Sequence, residues 1–177
     1  MKKRILEAWK DVPVVYDDFI LDEYKSNQDA IDVNSWISLG LSIADFGDDV
    51  RSEIDDAFLY VNDEVLPYLI GAHILEIEEK YDVRNECDNQ WCFNPDPGEY
   101  HYMWFISSDR FLTGFSRLSA EQKWITYVIT KNYFDLIKEY AAAAPNRYPE
   151  EFIANTTENL HQAIRMEWRT IENRKWE

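Results

Sequence analysis

From Ser119 to Ile171 the apolar side chains return every three or four residues, and that period commits most of the second part of the chain to helix. Ser119 and Gln122 form the Ser-x-x-Gln pattern in which hydroxyl and amide cap a helix start reciprocally. Trp124, Ile125, Val128, Ile129, Leu136, Ile137 and Tyr140 then carry the stripe, and Ala141 to Ala144 extend it as far as Pro145. Pro149 stands at a first-turn position, where the missing N–H costs no hydrogen bond. It precedes a second stripe of Phe152, Ile153, Thr156, Leu160, Ile164, Trp168 and Ile171.

Upstream the pattern is mixed. Ile5, Leu6 and Trp9 share a face of a short helix over about Lys2 to Lys10, which Pro13 ends. Val65, Leu66, Leu69, Ile70, His73, Ile74 and Ile77 describe an amphipathic helix starting near Asp63 or Glu64, since Pro67 fits only a first turn. Between these, Ile37, Leu39, Leu41 and Ile43 alternate with Trp36, Ser38, Gly40, Ser42 and Ala44, the two-residue repeat of a half-buried strand. After Gly47 the period is helical again, with Val50, Ile54, Ala57, Phe58 and Val61 on one stripe. The aromatic runs Trp91 to Phe93 and Tyr100 to Ile106 suggest two paired strands, with Phe111 to Phe115 a further short one. Residues 16–34, whose pattern fits a short helix or a loop, and 82–99, rich in turn formers, are expected to be irregular acidic loops. No internal repeat or low-complexity linker divides the chain. The expectation is therefore one α+β domain over residues 1–177, mostly helical, with a small antiparallel sheet.

Charge is distributed unevenly along this framework. The 177 residues hold 34 Asp and Glu against 18 Lys and Arg, a formal net charge of -16. Residues 1–99 contain 24 of the acids and 8 of the bases, whereas residues 100–177 contain 10 of each, so the excess belongs to the first part. A field of that sign repels phosphate backbones and anionic lipid and attracts a basic surface. The chain is still expected to fold, because its 7 Trp, 11 Tyr and 9 Phe are interleaved with the acids. Glu7, Lys10 and Asp11 interrupt any apolar stretch after the basic start, so no secretory signal is read, and no run reaches the roughly 18 apolar residues of a membrane span. Two cysteines without an export signal point to reduced thiols and a cytoplasmic location.

Three segments resemble an uncharacterised bacterial family, a domain of unknown function. They are Ile5-Leu6-Glu7-Ala8-Trp9-Lys10-Asp11-Val12-Pro13 followed by Asp17-Asp18; Asp56 to Ile70, with Leu66-Pro67-Tyr68 as its leucine-proline-aromatic helix start; and Arg110-Phe111 through Phe115-Ser116-Arg117-Leu118-Ser119-Ala120-Glu121-Gln122. The resemblance spans most of residues 5–130 and rests on capping and packing signals. It implies a bacterial domain of about this size and transfers no catalytic residue.

The sharpest candidate site is acidic. Asp45, Asp48, Asp49, Glu53, Asp55 and Asp56 fall within twelve positions opposed by Arg51 alone, and Asp63 and Glu64 follow closely. On a helix, Asp45, Asp49 and Glu53 repeat at i+4, where like charges cost a few tenths of a kcal/mol per pair. A basic partner would relieve that repulsion, while a solvated helix face is the plain alternative. Glu76, Glu78, Glu79, Asp82, Glu86 and Asp88 extend the negative surface. Metal chemistry has thin support: Cys87 and Cys92 lack a second close ligand pair, and Glu158 with His161 is a single Glu-x-x-His where a bundle site needs two. His73, His101 and His161 fit packing roles. No Gly-x-Ser-x-Gly elbow, Gly-x-Gly-x-x-Gly or Gly-Lys-Ser/Thr loop is present.

These features point to a non-enzymatic acidic binding protein that needs no cofactor or metal. The expected partner is a basic protein, with an immunity protein that occludes the basic cleft of a bacterial toxin as the first reading. A DNA-mimicking inhibitor of restriction or defence enzymes is the second, and a metal-dependent enzyme the third.

Overall fold

The computed structural model describes residues 1–12, 19–37, 42–45, 57–86, 105–143, 154 and 157–163, with the side chains of 33, 36, 37, 45, 80–86 and 136–143 left aside. Five helices organise these residues: α1 (Lys2–Trp9), α2 (Gln28–Ile37), α3 (Leu66–Glu86), α4 (Asp109–Arg117) and α5 (Ala120–Ala143). Single 3₁₀ turns occur at Asp22–Tyr24, Ile43–Asp45 and Ala57–Leu59, and residues 157–163 are helical.

Among the described residues there is no strand and no sheet; the fold is all-α, which corrects the α+β expectation. The extended pairing present is one isolated antiparallel bridge between Ile20 and Val61. The ends of the alternating segment 36–44 are helical instead: Trp36 and Ile37 finish α2, and Ile43 and Ala44 form a 3₁₀ turn. Alternation over so few residues does not separate a strand from helical turns. Phe111 to Phe115, expected as a strand, lies inside α4. Its aromatics are four residues apart, so both reach the helix face that packs inward. The Ser108 hydroxyl accepts a hydrogen bond from the Phe111 N–H at 3.3 Å and donates to the Phe105 carbonyl at 2.5 Å, a local cap that starts the helix. Phe105 and Ile106, at the end of the other expected strand, are helical and fully buried. Residues 91–93 and 100–104 lie outside the described residues.

α3 is the centre. It touches α1, α4, α5 and the turns at Ile43–Asp45 and Ala57–Leu59. The stripe expected from its sequence is buried, but so are Tyr68, Ala72 and Leu75, which follow one another at four and three residues on the opposite side. A helix apolar on all sides belongs inside a core, and the first turns of α3 are of that kind. Its later turns carry Glu76, Glu78 and Glu79 at half-buried positions, and it runs on through Glu86 into the stretch expected to be irregular.

Two glycines set how closely its neighbours approach. A Cβ on Gly71 would come within 2.3 Å of Trp9 Nε1, and a Cβ on Gly114 within 2.7 Å of the Leu66 Cβ and 3.0 Å of the Ile70 Cδ1. Trp9 uses the space above Gly71 to donate from its indole N–H to the Pro67 carbonyl at 2.8 Å. The tryptophan is thus buried with its polar edge satisfied.

At the other end of α1, polar contacts replace packing. Arg4 lies with its guanidinium carbon 4.1 Å from the centroid of the Trp124 ring and pairs with Glu121 at 2.5 Å. Lys2 pairs with Glu79 at 2.7 Å, and the amino group of Met1 with Glu78 at 2.8 Å.

The start of α5 has the geometry expected from its capping box. The Ser119 N–H donates to Gln122 Oε1 at 2.8 Å, and the Gln122 N–H donates to the Ser119 hydroxyl at 3.3 Å. The other end of the same amide, Gln122 Nε2, donates to the Ala8 carbonyl at 2.9 Å, so one side chain caps α5 and holds the last turn of α1.

An aromatic cluster fills the junction of α3, α4 and the Ala57–Leu59 turn. Phe58 stacks on Phe105 at 4.9 Å, Phe111 meets Phe105 edge-on at 5.8 Å, and Phe115 lies 5.7 Å from Phe111. His73 of α3 packs its ring 5.8 Å from Phe105 and is 2% exposed, a core position as its place on the apolar stripe suggested.

Candidate functional site

The acidic candidate is best approached from its two ends. Asp45 closes the Ile43–Asp45 turn, in which Ile43 is buried, and the Ala57–Leu59 turn follows Asp56 directly, with Ala57 and Phe58 buried. Both turns rest against α3, so the described residues on either side of the acidic run meet the same helix. Asp48, Asp49, Glu53, Asp55 and Asp56 lie outside the described residues, as does the side chain of Asp45. The expected helical stripe from Val50 to Val61 does not extend to its end: Ala57–Leu59 is a 3₁₀ turn and Val61 is extended opposite Ile20.

Asp63 and Glu64 sit just beyond this turn. The segment is fixed on one side by the Leu21 N–H donating to the Tyr60 carbonyl at 2.8 Å and the Asn62 N–H donating to the Phe19 carbonyl at 2.7 Å. Tyr24 packs edge-on against Tyr60 at 5.3 Å. On the other side Arg110, near the start of α4, spreads its guanidinium over three acceptors. Nε donates to the Phe58 carbonyl at 3.1 Å, Nη1 to Asp63 Oδ1 at 2.7 Å, and Nη2 to the Val61 carbonyl. The planar fork of arginine is suited to this, because it presents several fixed donors at once. Arg117, two turns further along α4, approaches the second Asp63 oxygen at 3.9 Å. Asp63 is thus engaged by two cations of its own chain and anchors the turn. Glu64 is exposed, and its N–H donates to Asn62 Oδ1 at 3.0 Å.

The second acidic group is divided in the same way. Glu78 and Glu79 are neutralised by α1, whereas Asp82 and Glu86 continue the backbone of α3 and Asp88 lies outside the described residues. Elsewhere on the surface, the hydrogen bond from Lys25, reinforced by its charge, holds the Asp22 carboxyl below the usual carboxylate range. Glu7 raises the Lys10 ammonium and Asp135 that of Lys131, again through a hydrogen bond and charge.

No cluster of three or more metal-ligating side chains occurs among the described residues. His161 is exposed beside Leu160, with Glu158 on the same helical segment, while Cys87, Cys92 and His101 fall outside. No described helix is long and apolar enough to cross a membrane.

Arg110 carries no signal of this role in the sequence around it. It belongs to the segment from Arg110 to Gln122, and its partners lie 47 to 52 residues upstream. The one local signal was Ser108, whose place ahead of Phe111 marks a helix start and puts Arg110 in the first turn of α4.

No protein-family model, curated protein or solved structure matches the chain.

Proposed function

We propose that this protein is an acidic binding module whose partner is a basic protein surface, and that it acts as an immunity protein occluding the basic cleft of a bacterial toxin. The observation that carries this reading is the density of acid in one stretch of sequence, six carboxylates between Asp45 and Asp56. Among the described residues, Lys2, Arg4, Lys10, Lys25, Arg110, Arg117 and Lys131 each meet a carboxylate. The run from Asp45 to Asp56 keeps Arg51 as its one opposing charge in sequence, and a basic partner would supply the rest. Complementary charge of this kind accelerates encounter and makes the association rate salt-dependent.

The uneven spacing of Asp45, Asp48, Asp49, Glu53, Asp55 and Asp56 weighs against a DNA mimic, which requires carboxylates repeated at phosphate-like intervals over an elongated surface. The test is co-expression with toxins encoded beside the gene in its genome. Rescue of growth by the native chain and its loss in a D49K/E53K/D56K triple variant that still folds is the expected result. Rescue undiminished by the triple variant removes the acidic run as the binding face, and failure to rescue from any adjacent toxin removes the immunity role.

A further inference from the structure

We draw no further inference here: the strongest candidate, the carboxylate cluster running from the Ile43–Asp45 turn to Asp63 beneath Arg110 of α4, belongs to the site already described, and no second feature among the described residues points to a ligand for it.

Discussion

Gln122 Nε2 donates to the carbonyl of Ala8, 114 residues away, while Oε1 of the same amide caps its own helix. The residue is 7% exposed, so neither contact is readily replaced by water. Glutamate is as good a capping-box residue as glutamine, yet it has no donor for Ala8 and would set a carboxylate against a carbonyl. Gln122→Glu is therefore expected to lower unfolding free energy by about 1–3 kcal/mol, the cost of an unsatisfied buried acceptor and a partly buried charge. Urea denaturation at neutral pH measures this. A Gln122→Glu protein as stable as the native one would show that the link to α1 contributes nothing.

The close approaches at Gly71 and Gly114 make the opposite sign from helix propensity. Alanine is favoured over glycine in a helix interior by about 1 kcal/mol. Here the added methyl would meet the Trp9 ring or the Leu66 Cβ well inside contact distance. Each Gly→Ala substitution should destabilise by roughly 1–3 kcal/mol, the usual range for overpacking. Trp9→Leu should relieve the Gly71→Ala penalty in a double-mutant cycle; additive effects would refute the ring contact as its cause.

Arg110→Lys retains the charge and loses the fork. Hydrogen bonds to charged groups contribute about 1.5–3 kcal/mol each where partly buried, and one ammonium does not reach the Phe58, Val61 and Asp63 acceptors together. A loss of about 1–3 kcal/mol in global stability is expected. Amide exchange should also accelerate first at Leu21 and Asn62, which hold the same segment from its other side. Uniform acceleration across all helices would mean that Arg110 does not act locally.

Thr126 is fully buried on α5, and its hydroxyl finds no hydrogen-bond partner among the described residues. A valine of the same shape removes a polar group left without a partner. Thr126→Val should leave stability unchanged or raise it by up to about 1 kcal/mol, while Thr126→Ser, which keeps the hydroxyl and opens a void, should lower it. A thermal melt in which valine is the worse of the two contradicts this.

Asp22 gives a pH signature. Its carboxyl is held low by Lys25, so the pair's contribution is present above the ordinary carboxylate value and goes as pH falls through the lowered one. The side chain is 95% exposed, and screening makes the effect on stability small. The measurable outcome is a carbon-detected titration of Asp22 that moves up toward the ordinary range in Lys25→Ala; an unmoved midpoint would exclude the pair.

Local signals were legible in the sequence and distant ones were not. The Ser119–Gln122 box, the first-turn proline of α3 and the Ile5–Trp9 face of α1 are written within a few residues, and the structure has all three. The apolar signal of α2 is blurred, because Trp36 and Ile37 at its end also begin the alternating run 36–44 and the segment before them fits a short helix or a loop alike. Its signal is polar instead, with the Asn27 side chain accepting from the Asp29 and Ala30 N–H groups at 2.8 and 3.3 Å. The α4 segment reads as extended because Phe111 to Phe115 is aromatic-rich, and β propensity yields there to the Ser108 cap and to packing on Leu66 and Ile70. Of the acidic candidate, the sequence located the charge but not its internal use. That Asp63 is held by Arg110 depends on a tertiary approach no local pattern encodes.

The contacts of α1 also set an order of events during synthesis. This helix leaves the ribosome well ahead of α5, and Ala8 and Arg4 meet Gln122 and Glu121 only after more than a hundred further residues have been made. At about 5–20 residues per second that is a wait on the order of 10 s. Throughout it Ile5 and Trp9 have at most part of their eventual cover, and α1 waits for α5 before its polar contacts can close.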